Sequence, residues 1–172
     1  DCDLEATRAR VREALSEIRR AALEARDWHP GVYDPRDAVF RVVSPLAEGA
    51  DQIVADEAVR LGYKLNVLLP FDAKEYTSFF DAPKDPKSEH PRAIFDRIMG
   101  LECVECVQQL DGPTDAEHLP ASYMAVGDSV IRHSDILIAI WDGAPARGLG
   151  GTGDVVQEAQ KQEIPVVWIN PT

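Results

Sequence analysis

Apolar, strand-like runs alternate with amphipathic helical patterns along this chain. The clearest runs occupy positions 38–43, 64–69, 136–141 and 165–169, and a helical pattern precedes or follows each of them. Strands joined through helices favour parallel pairing, because a parallel connection has to cross over one face of the sheet. The alternation therefore predicts an α/β fold with three layers, in which a doubly wound, mostly parallel, Rossmann-like sheet lies between two layers of helices.

Apolar residues at spacings of three and four predict the helices between these strands. The predicted helices cover residues 5–25, 50–61, 91–99, 120–133 and 153–162. We also predict a short helix at 74–80, a polar connection at 81–90 and a strand with mixed faces, near a sheet edge, at 103–110. The pattern opens with a helix, whereas doubly wound folds usually open with a central strand. We therefore expect the first central strand to be missing from the amino end of a single domain that covers 1–172.

Charge and composition argue against several kinds of partner. Eighteen basic and thirty acidic residues give a formal net charge of −12, which repels polyanions. This disfavours extended contact with nucleic acid and direct contact with an acidic membrane. Three cysteines cannot all pair with one another, and no signal-peptide pattern opens the chain, so we expect a cytoplasmic location. Arg8 and Arg12 belong to a run of arginines balanced by glutamates, which predicts a solvated or partner-facing helix surface.

Two glycine-bearing turns, Ser44–Asp51 and Gly148–Asp154, each lie between a strand-like run and a helical pattern. Glycine lets the backbone approach a ligand closely, and the N–H groups in the first turn of a helix favour an anion. Ligands of open α/β sheets bind at the carboxyl ends of the strands. The two turns therefore predict a binding site for a small nucleotide-type ligand.

The first turn is expected to hold a phosphate through the Ser44 hydroxyl and the N–H groups that follow it. Asp51 then either caps the turn or bonds a ribose. A purely structural alternative also fits, in which Ser44 is a helix N-cap, Pro45 begins the first helical turn and Gly49 permits close packing.

Arg147 stands beside the second turn, in a region where basic residues are sparse. Only three basic residues follow Arg97 in the sequence, and Arg147 is one of them. A guanidinium at this position could neutralise an anion by a bidentate contact. The alternative is a solvent-exposed loop arginine beside a turn capped by Thr152, with Asp154 complementing the helix dipole.

Three further residues follow predicted strands, where they could reach the same crevice. Asp142 is expected either to bond a ribose hydroxyl or to cap a turn, and Tyr76, after Pro70, either to stack on a base or to pack in the core. The complete set of predicted ligand-binding residues is Ser44, Pro45, Ala47, Gly49, Asp51, Pro70, Tyr76, Asp142, Arg147, Gly150, Gly151, Thr152 and Asp154.

Cys103 and Cys106 have the spacing of some metal and redox sites. In the predicted strand, however, residues three apart point to opposite faces, and the histidines are scattered. We therefore predict no metal site. No catalytic residue is assigned, and no cofactor is expected apart from a nucleotide or nucleotide-derived ligand.

The motif Ser44-x-x-Ala47-x-Gly49-Ala50-Asp51 resembles the turn of DNA-processing protein A and its relatives. Gly150-Gly151-Thr152 resembles the second signature of the same group, the SLOG superfamily, which includes the Lonely Guy phosphoribohydrolases. The resemblance covers residues 38–169 and is greatest to a bacterial sensor-like branch, whose members carry an upstream strand. It implies a Rossmann-like domain that binds a nucleotide or a nucleotide-derived signal.

One position departs from the enzymes of that superfamily. The phosphoribohydrolases carry a glutamate three residues after the motif threonine, where this chain has Val155. The resemblance therefore implies a non-catalytic sensor module that relays ligand binding to a homodimer partner or to a fused or associated effector domain. The alternatives are an N-glycosidase of the phosphoribohydrolase type, which acts on nucleotides, and an interaction module like the DNA-processing proteins.

Overall fold

The structure is a computed structural model that describes residues 4–34, 36–83, 88–146 and 150–171. Six α-helices and five strands occur along these residues. In chain order they are α1 (Leu4–Trp28), β1 (Arg41–Ser44), α2 (Ala50–Arg60), β2 (Lys64–Leu69), α3 (Ala73–Tyr76), α4 (Pro91–Met99), β3 (Val104–Gln109), α5 (Leu119–Arg132), β4 (Leu137–Ile140), α6 (Thr152–Lys161) and β5 (Val166–Ile169). A single 3-10 turn, Thr77–Phe79, follows α3.

All strand pairs are parallel, which confirms the predicted α/β, Rossmann-like class. The strands form two sheets, one in the order β1-β2-β3 and one that pairs β4 with β5. Within the described ranges these two sheets share no hydrogen-bonded strand pair, so β1 and β4 each have one unpaired edge. The mixed-face strand predicted at 103–110 is β3, and it lies at a sheet edge as expected.

Helices cover both faces of the β1-β2-β3 sheet, since leucines of β2 on each face pack against a helix. Leu65 and Leu69 pack in one cluster with Phe95 and Ile98 of α4, and Ala55 of α2 belongs to the same cluster. Leu68, which points the other way, packs with Val126 and Val130 of α5. The alternation of side chains along one strand thus produces the predicted three layers.

The long helix α1 joins the two sheets. Its buried residues Val11 and Leu15 pack with Ile169 of β5, and Ile138 and Ile140 of β4 border the same cluster. Tyr63, which precedes β2, packs there too, and its hydroxyl donates a 2.7 Å hydrogen bond to the carbonyl of Leu15. Helix α1 therefore covers the region between β1 and β4. It ends at Trp28, three residues beyond the predicted helix 5–25.

A charged network fixes α1 to α2. Glu57 of α2 is fully buried and accepts hydrogen bonds from Arg8 at 2.8 Å and from Arg12 at 2.9 Å. Asp56 accepts bonds of 3.0 Å from Arg8 and from Arg97 of α4. The prediction of a solvated or partner-facing surface was therefore wrong for Arg8, because α2 presents carboxylates at positions that the sequence of α1 alone does not reveal. The side chain of Arg12 binds Glu57 and stays partly exposed to solvent.

Burial raises the pKa of Glu57, but the hydrogen bonds from Arg12 and Arg8 outweigh burial and hold that pKa below its usual value. The pKa of Asp56 is lowered in the same way, against burial, by Arg97 and Arg8. The network therefore keeps both carboxylates ionised.

Among the described helices, none has the length and apolar character needed to cross a bilayer.

Candidate functional site

A cavity of about 270 Å³ lies where the two glycine turns meet, beside β4 and against α5. We call it the turn cavity. It brings together residues that lie about a hundred positions apart in the sequence. Six predicted residues from the two turns line it: Pro45, Ala47 and Asp51 from the first, and Gly150, Gly151 and Thr152 from the second.

The first turn is closed by its own side chains. The buried Ser44 hydroxyl accepts a 3.0 Å bond from the N–H of Leu46, and Asp51 Oδ2 accepts a 3.3 Å bond from the N–H of Ala47. Leu46 is fully buried with a φ of 54°, a left-handed conformation that is costly for leucine. The N-cap of α2 is Gly49 and no side chain caps it, so the Ser44 N-cap of the structural alternative was wrong. Asp51 closes the turn through its bond from Ala47, as one of its two predicted roles requires.

The second turn repeats this closure. Asp154 Oδ2 accepts a 3.0 Å bond from the N–H of Gly150, which lies four residues earlier, just as Asp51 accepts the N–H of Ala47. Gly150 has a φ of 83°, and a Cβ atom there would lie 2.9 Å from the backbone nitrogen of Met124. This turn therefore needs glycine both for its backbone conformation and for its close approach to α5.

Two helices of ordinary length begin at these turns, α2 at Ala50 and α6 at Thr152. The first turn of a helix leaves N–H groups without intrahelical acceptors, and the helix dipole adds partial positive charge there. Gly49 and Gly151, the two N-cap residues, have no side chain that could cover these groups. The turn cavity is therefore bordered by two helix N-termini.

Carboxylates oppose that positive potential. Burial raises the pKa of the Asp51 carboxyl to about 6, only partly offset by the hydrogen bond from Ala47. Glu48 also lines the cavity. Of the described residues that line it, none is lysine, arginine or histidine. Arg147 lies outside the described residues, so its contact with an anion stays a prediction.

Two tyrosines form an aromatic wall. Tyr76 is buried, and its ring packs edge-on against Phe71 and Phe80. Tyr123 of α5 lies with its ring centroid 6.2 Å from that of Tyr76 and is only half-buried. Burial raises the pKa of both phenols. The negative charge of Glu48 raises both pKa values further, and that of Asp51 adds to the rise at Tyr76. Tyr76 thus packs in the core at the edge of the cavity, and Tyr123 presents the more accessible ring.

The sequence argument missed Tyr123 and Glu48. Tyr123, Val126 and Val130 recur at helical spacing and share one face of α5, so the pattern could have placed Tyr123 on the sheet-facing side. It could not have shown that this face reaches the turns. Val155 of α6 also lines the cavity, at the position where the phosphoribohydrolase motif has glutamate.

The remaining predicted residues within the described ranges do not line the cavity. Asp142 is exposed, and its Oδ1 accepts a 3.0 Å bond from the N–H of Ala144. This bond corresponds to the turn-capping role, one of the two predicted for Asp142. Pro70 is buried, and its carbonyl accepts a 3.0 Å bond from the N–H of Gly112. The last three hold the two turns in shape: Ser44 and Asp154 through bonds from backbone N–H groups, and Gly49 as the N-cap of α2.

One group of side chains in the described part of the chain has metal-ligand character. Asp115, Glu117 and His118 lie together before α5, and all three are exposed. Asp115 Oδ1 already lies 2.8 Å from His118 Nδ1 and accepts the N–H groups of Glu117 and His118. The cluster thus closes the turn before α5, and it lies outside the turn cavity.

Comparison with known proteins adds no assignment. No protein-family model matches the chain, and no curated protein is similar enough to match it. The resemblance to the SLOG superfamily rests on the two motifs alone and stays a prediction.

Proposed function

We propose that this chain is a non-catalytic binding module for a nucleotide or a nucleotide-derived signal, and that the ligand occupies the turn cavity. The observation that carries the proposal is the convergence of both glycine turns, with the N-termini of α2 and α6, on one cavity. Backbone N–H groups at two helix N-termini are suited to a phosphate. The predicted contact from Arg147 would supply the cation that the described lining lacks.

The other walls suit the remaining parts of a nucleotide. The Asp51 carboxylate can accept a ribose hydroxyl, and the half-buried ring of Tyr123 offers a surface on which a base can stack. A ligand held in this way touches α2 and α6 at once. Binding would then favour conformations in which the two helices lie closer, and a partner sensitive to that spacing would respond.

Val155 supports a role without catalysis. An apolar side chain lines the cavity at the motif position that carries the glutamate in the phosphoribohydrolases. The nearby carboxylate of Glu158 instead interacts with Lys161 at 3.2 Å and Gln162 at 3.0 Å. Neither arrangement directs a carboxylate of α6 at the cavity.

One observation favours an N-glycosidase as the second candidate. The Asp51 carboxyl has a pKa of about 6, close to the pH at which a general acid works, and it lines the cavity. Incubation of the protein with nucleoside monophosphates, followed by chromatography for free base, decides between the two. Free base released by the parent protein and lost in Asp51→Asn would contradict the non-catalytic proposal.

Thermal denaturation with a panel of mono-, di-, cyclic and ADP-ribose-type nucleotides tests the binding proposal. A ligand at a hundredfold its Kd should stabilise the protein by about 2.7 kcal/mol. Gly151→Asp places a carboxylate at the cavity and should abolish the shift, as Arg147→Ala should weaken it. Gly100→Asp, after α4 and away from the cavity, adds the same charge and should leave the shift intact.

The panel has two outcomes that would refute the proposal. One is the absence of a shift with every nucleotide. The other is a shift that Gly151→Asp and Gly100→Asp reduce equally, because net charge rather than the cavity would then govern binding. Tight binding of DNA in a gel-shift at low salt would instead favour the interaction module.

A further inference from the structure

A second space lies between the unpaired edges of β1 and β4, with a volume of about 560 Å³. We call it the slot. Helix α1 covers it on one face through Leu15, Ile18 and Ala22, and residues at the end of α5 and before β4 border it on the other, among them Val130 and Ile136. The slot is therefore a gap in the sheet layer, covered by helices as a central strand would be.

The backbone groups along both edges of the slot alternate in a defined way. The N–H of Lys64 donates to the carbonyl of Phe40, so the backbone groups of Phe40 and Val42 face β2. The N–H and C=O groups of Arg41 and Val43 therefore point away from β2, toward the slot. The N–H groups of Leu137 and Trp141 donate to carbonyls just before β5 and at its end. The N–H and C=O groups of Ile138 and Ile140 therefore point away from β5, toward the slot.

In the part of the chain that the structure describes, no strand pairs with these edges. Val43, Ile138 and Ile140 are half-buried, where an unpaired N–H or C=O costs free energy. By contrast β3, which forms the outer edge of its sheet, exposes the polar side chains of Glu105 and Gln108. Polar and charged side chains protect an edge from pairing, and the slot edges lack that protection at these three positions.

We propose that the slot is filled by one extended β-strand that runs parallel to β1 and β4 and leads directly into the amino end of α1. Its neighbours are both parallel strands covered by helices, and such strands are apolar on both faces. The occupant therefore carries an uninterrupted run of β-branched or other apolar residues. Its N–H and C=O groups pair alternately with Val43 on one side and with Ile138 and Ile140 on the other.

The direction of α1 supports this connection. Arg10 in its first half bonds the carbonyl of Asn170, just after β5, and Arg19 in its second half bonds the carbonyl of Leu61, just before β2. The amino end of α1 therefore lies at the carboxyl edge of the strands. A strand in the slot that ends there passes into α1 and then into β1, on the same face and in the same sense as the unit β1-α2-β2.

The slot and the turn cavity share five lining residues: Pro45, Asp51, Val130, Leu137 and Ile138. The end of the added strand would therefore border the turn cavity. The proposal rests on the two sheet edges and on α1, however, and stands whether or not a nucleotide binds.

Hydrogen exchange tests the proposal on the full chain carrying a short valine- and isoleucine-rich strand joined ahead of Asp1. The amides of Val43, Ile138 and Ile140 should exchange at least about tenfold more slowly than in the chain without the strand, because each gains a ladder partner. The amides of β3 serve as the internal control and should not change. A second fusion, with proline at alternate positions of the added strand, cannot form a continuous ladder in a central position, because proline has no N–H and its ring disrupts a central strand, so it should not protect these amides.

Two matched substitutions locate the effect. Ile136→Lys places a charge in the lining of the slot, and Val107→Lys places the same charge on the exposed edge strand β3. Ile136→Lys should remove most of the added protection, and Val107→Lys should preserve it. Circular dichroism of both variants without the added strand confirms that each is folded.

Three results would overturn the proposal. The first is unchanged exchange at all three amides. The second is equal protection by the proline-containing strand. The third is protection without any added strand that rises with protein concentration, because a second copy of the chain would then be the occupant.

Discussion

The two glycine turns share one local design but are anchored by different means. In each, an aspartate at the start of a helix accepts the N–H of the residue four positions earlier, Ala47 for Asp51 and Gly150 for Asp154. The first turn leads into α2, which is fixed by the buried charge network around Glu57. The second leads into α6, and it reaches α5 through glycines with no room for a side chain at Gly150.

This difference shows that a similar hydrogen-bonded turn can be stabilised by distant side chains or by close backbone packing. The wall formed by the first turn depends on the arginines of α1 and α4. The wall formed by the second depends on the absence of a Cβ atom. Substitutions should therefore weaken the two walls by distinct mechanisms, and paired variants can separate them.

The largest effect is expected at the charge network. Glu57→Ala leaves Arg8 and Arg12 without their buried partner and should lower the free energy of unfolding by about 2–4 kcal/mol, measured by urea denaturation at pH 7. Glu158→Ala removes a surface ion pair of α6 with the exposed Lys161 and should change the free energy of unfolding little. Equal losses in the two variants would show that α2 is not the more strongly anchored helix.

The same variant has a defined pH dependence. The pKa of Glu57 is lowered in the folded protein, so its stabilising contribution is present above the unfolded pKa of 4.5 and is lost as the pH falls through the folded value. The difference in stability between the parent protein and Glu57→Ala should therefore narrow below pH 4.5. A constant difference down to pH 3 would contradict the assigned ion pairs.

The second comparison substitutes one glycine in each turn. Gly150→Ala combines backbone strain at a φ of 83° with a contact of 2.9 Å to Met124, and should cost about 2–3 kcal/mol of unfolding free energy. Gly49→Ala has a similar φ of 86° but nothing within 4 Å of the added Cβ, and should cost about 1–2 kcal/mol. Thermal unfolding monitored by circular dichroism measures both. If Gly49→Ala proved the more damaging, close packing against α5 would not be the anchor of the second turn.

The smallest effects come from the two aspartates, and their signs should be opposite. The raised folded pKa of Asp51 means that stability linked to its proton is complete below the unfolded pKa of 3.8 and is lost as the pH rises through about 6. Asp51→Asn removes the buried charge and keeps an acceptor for Ala47, so it should stabilise the protein by about 1–2 kcal/mol at pH 8. The gain should disappear below pH 4.

Asp154→Asn is the matched control for that change. It keeps an acceptor for the N–H of Gly150 but removes a negative charge from the first turn of α6, and should destabilise the protein by about 0.3–1 kcal/mol at low salt. Urea denaturation at pH 8 measures both variants. A stabilising Asp154→Asn, or a destabilising Asp51→Asn, would show that the two turns do not differ in the way the structure indicates.

Much of the fold follows from local pattern. The strands at 64–69 and 136–141 and the helices between the strands are predicted within a few residues, because hydrophobic periodicity reflects which side of an element is buried. The pattern also predicts that both turns lie at one edge, because parallel strands place their carboxyl ends together. Of the predicted binding residues, six from the two turns, among them Ala47 and Gly151, line the cavity, and so does Tyr76.

The outcomes that differ from the sequence argument all depend on neighbours distant in sequence. Arg8 reaches across to Glu57 rather than to solvent. For Asp142 the turn-capping one of its two predicted roles is observed, through the bond from the N–H of Ala144. Tyr123 enters the site because α5 packs against the second turn. A single sequence does not contain the distances between helices, so these contacts had no local signal.

By itself the sequence determined the order and kind of the elements and the two turns between them, since backbone propensity and periodic burial act over short stretches of chain. Only the tertiary structure decided that both turns border one cavity with Tyr123 and Val155 and that α1 spans an open slot between two sheet edges. Packing and electrostatics act between surfaces brought together by folding. The two aspartate-closed turns therefore differ in their surroundings. Burial raises the pKa of Asp51 in the first turn, and in the second the backbone of α5 lies too close to Gly150 for a side chain.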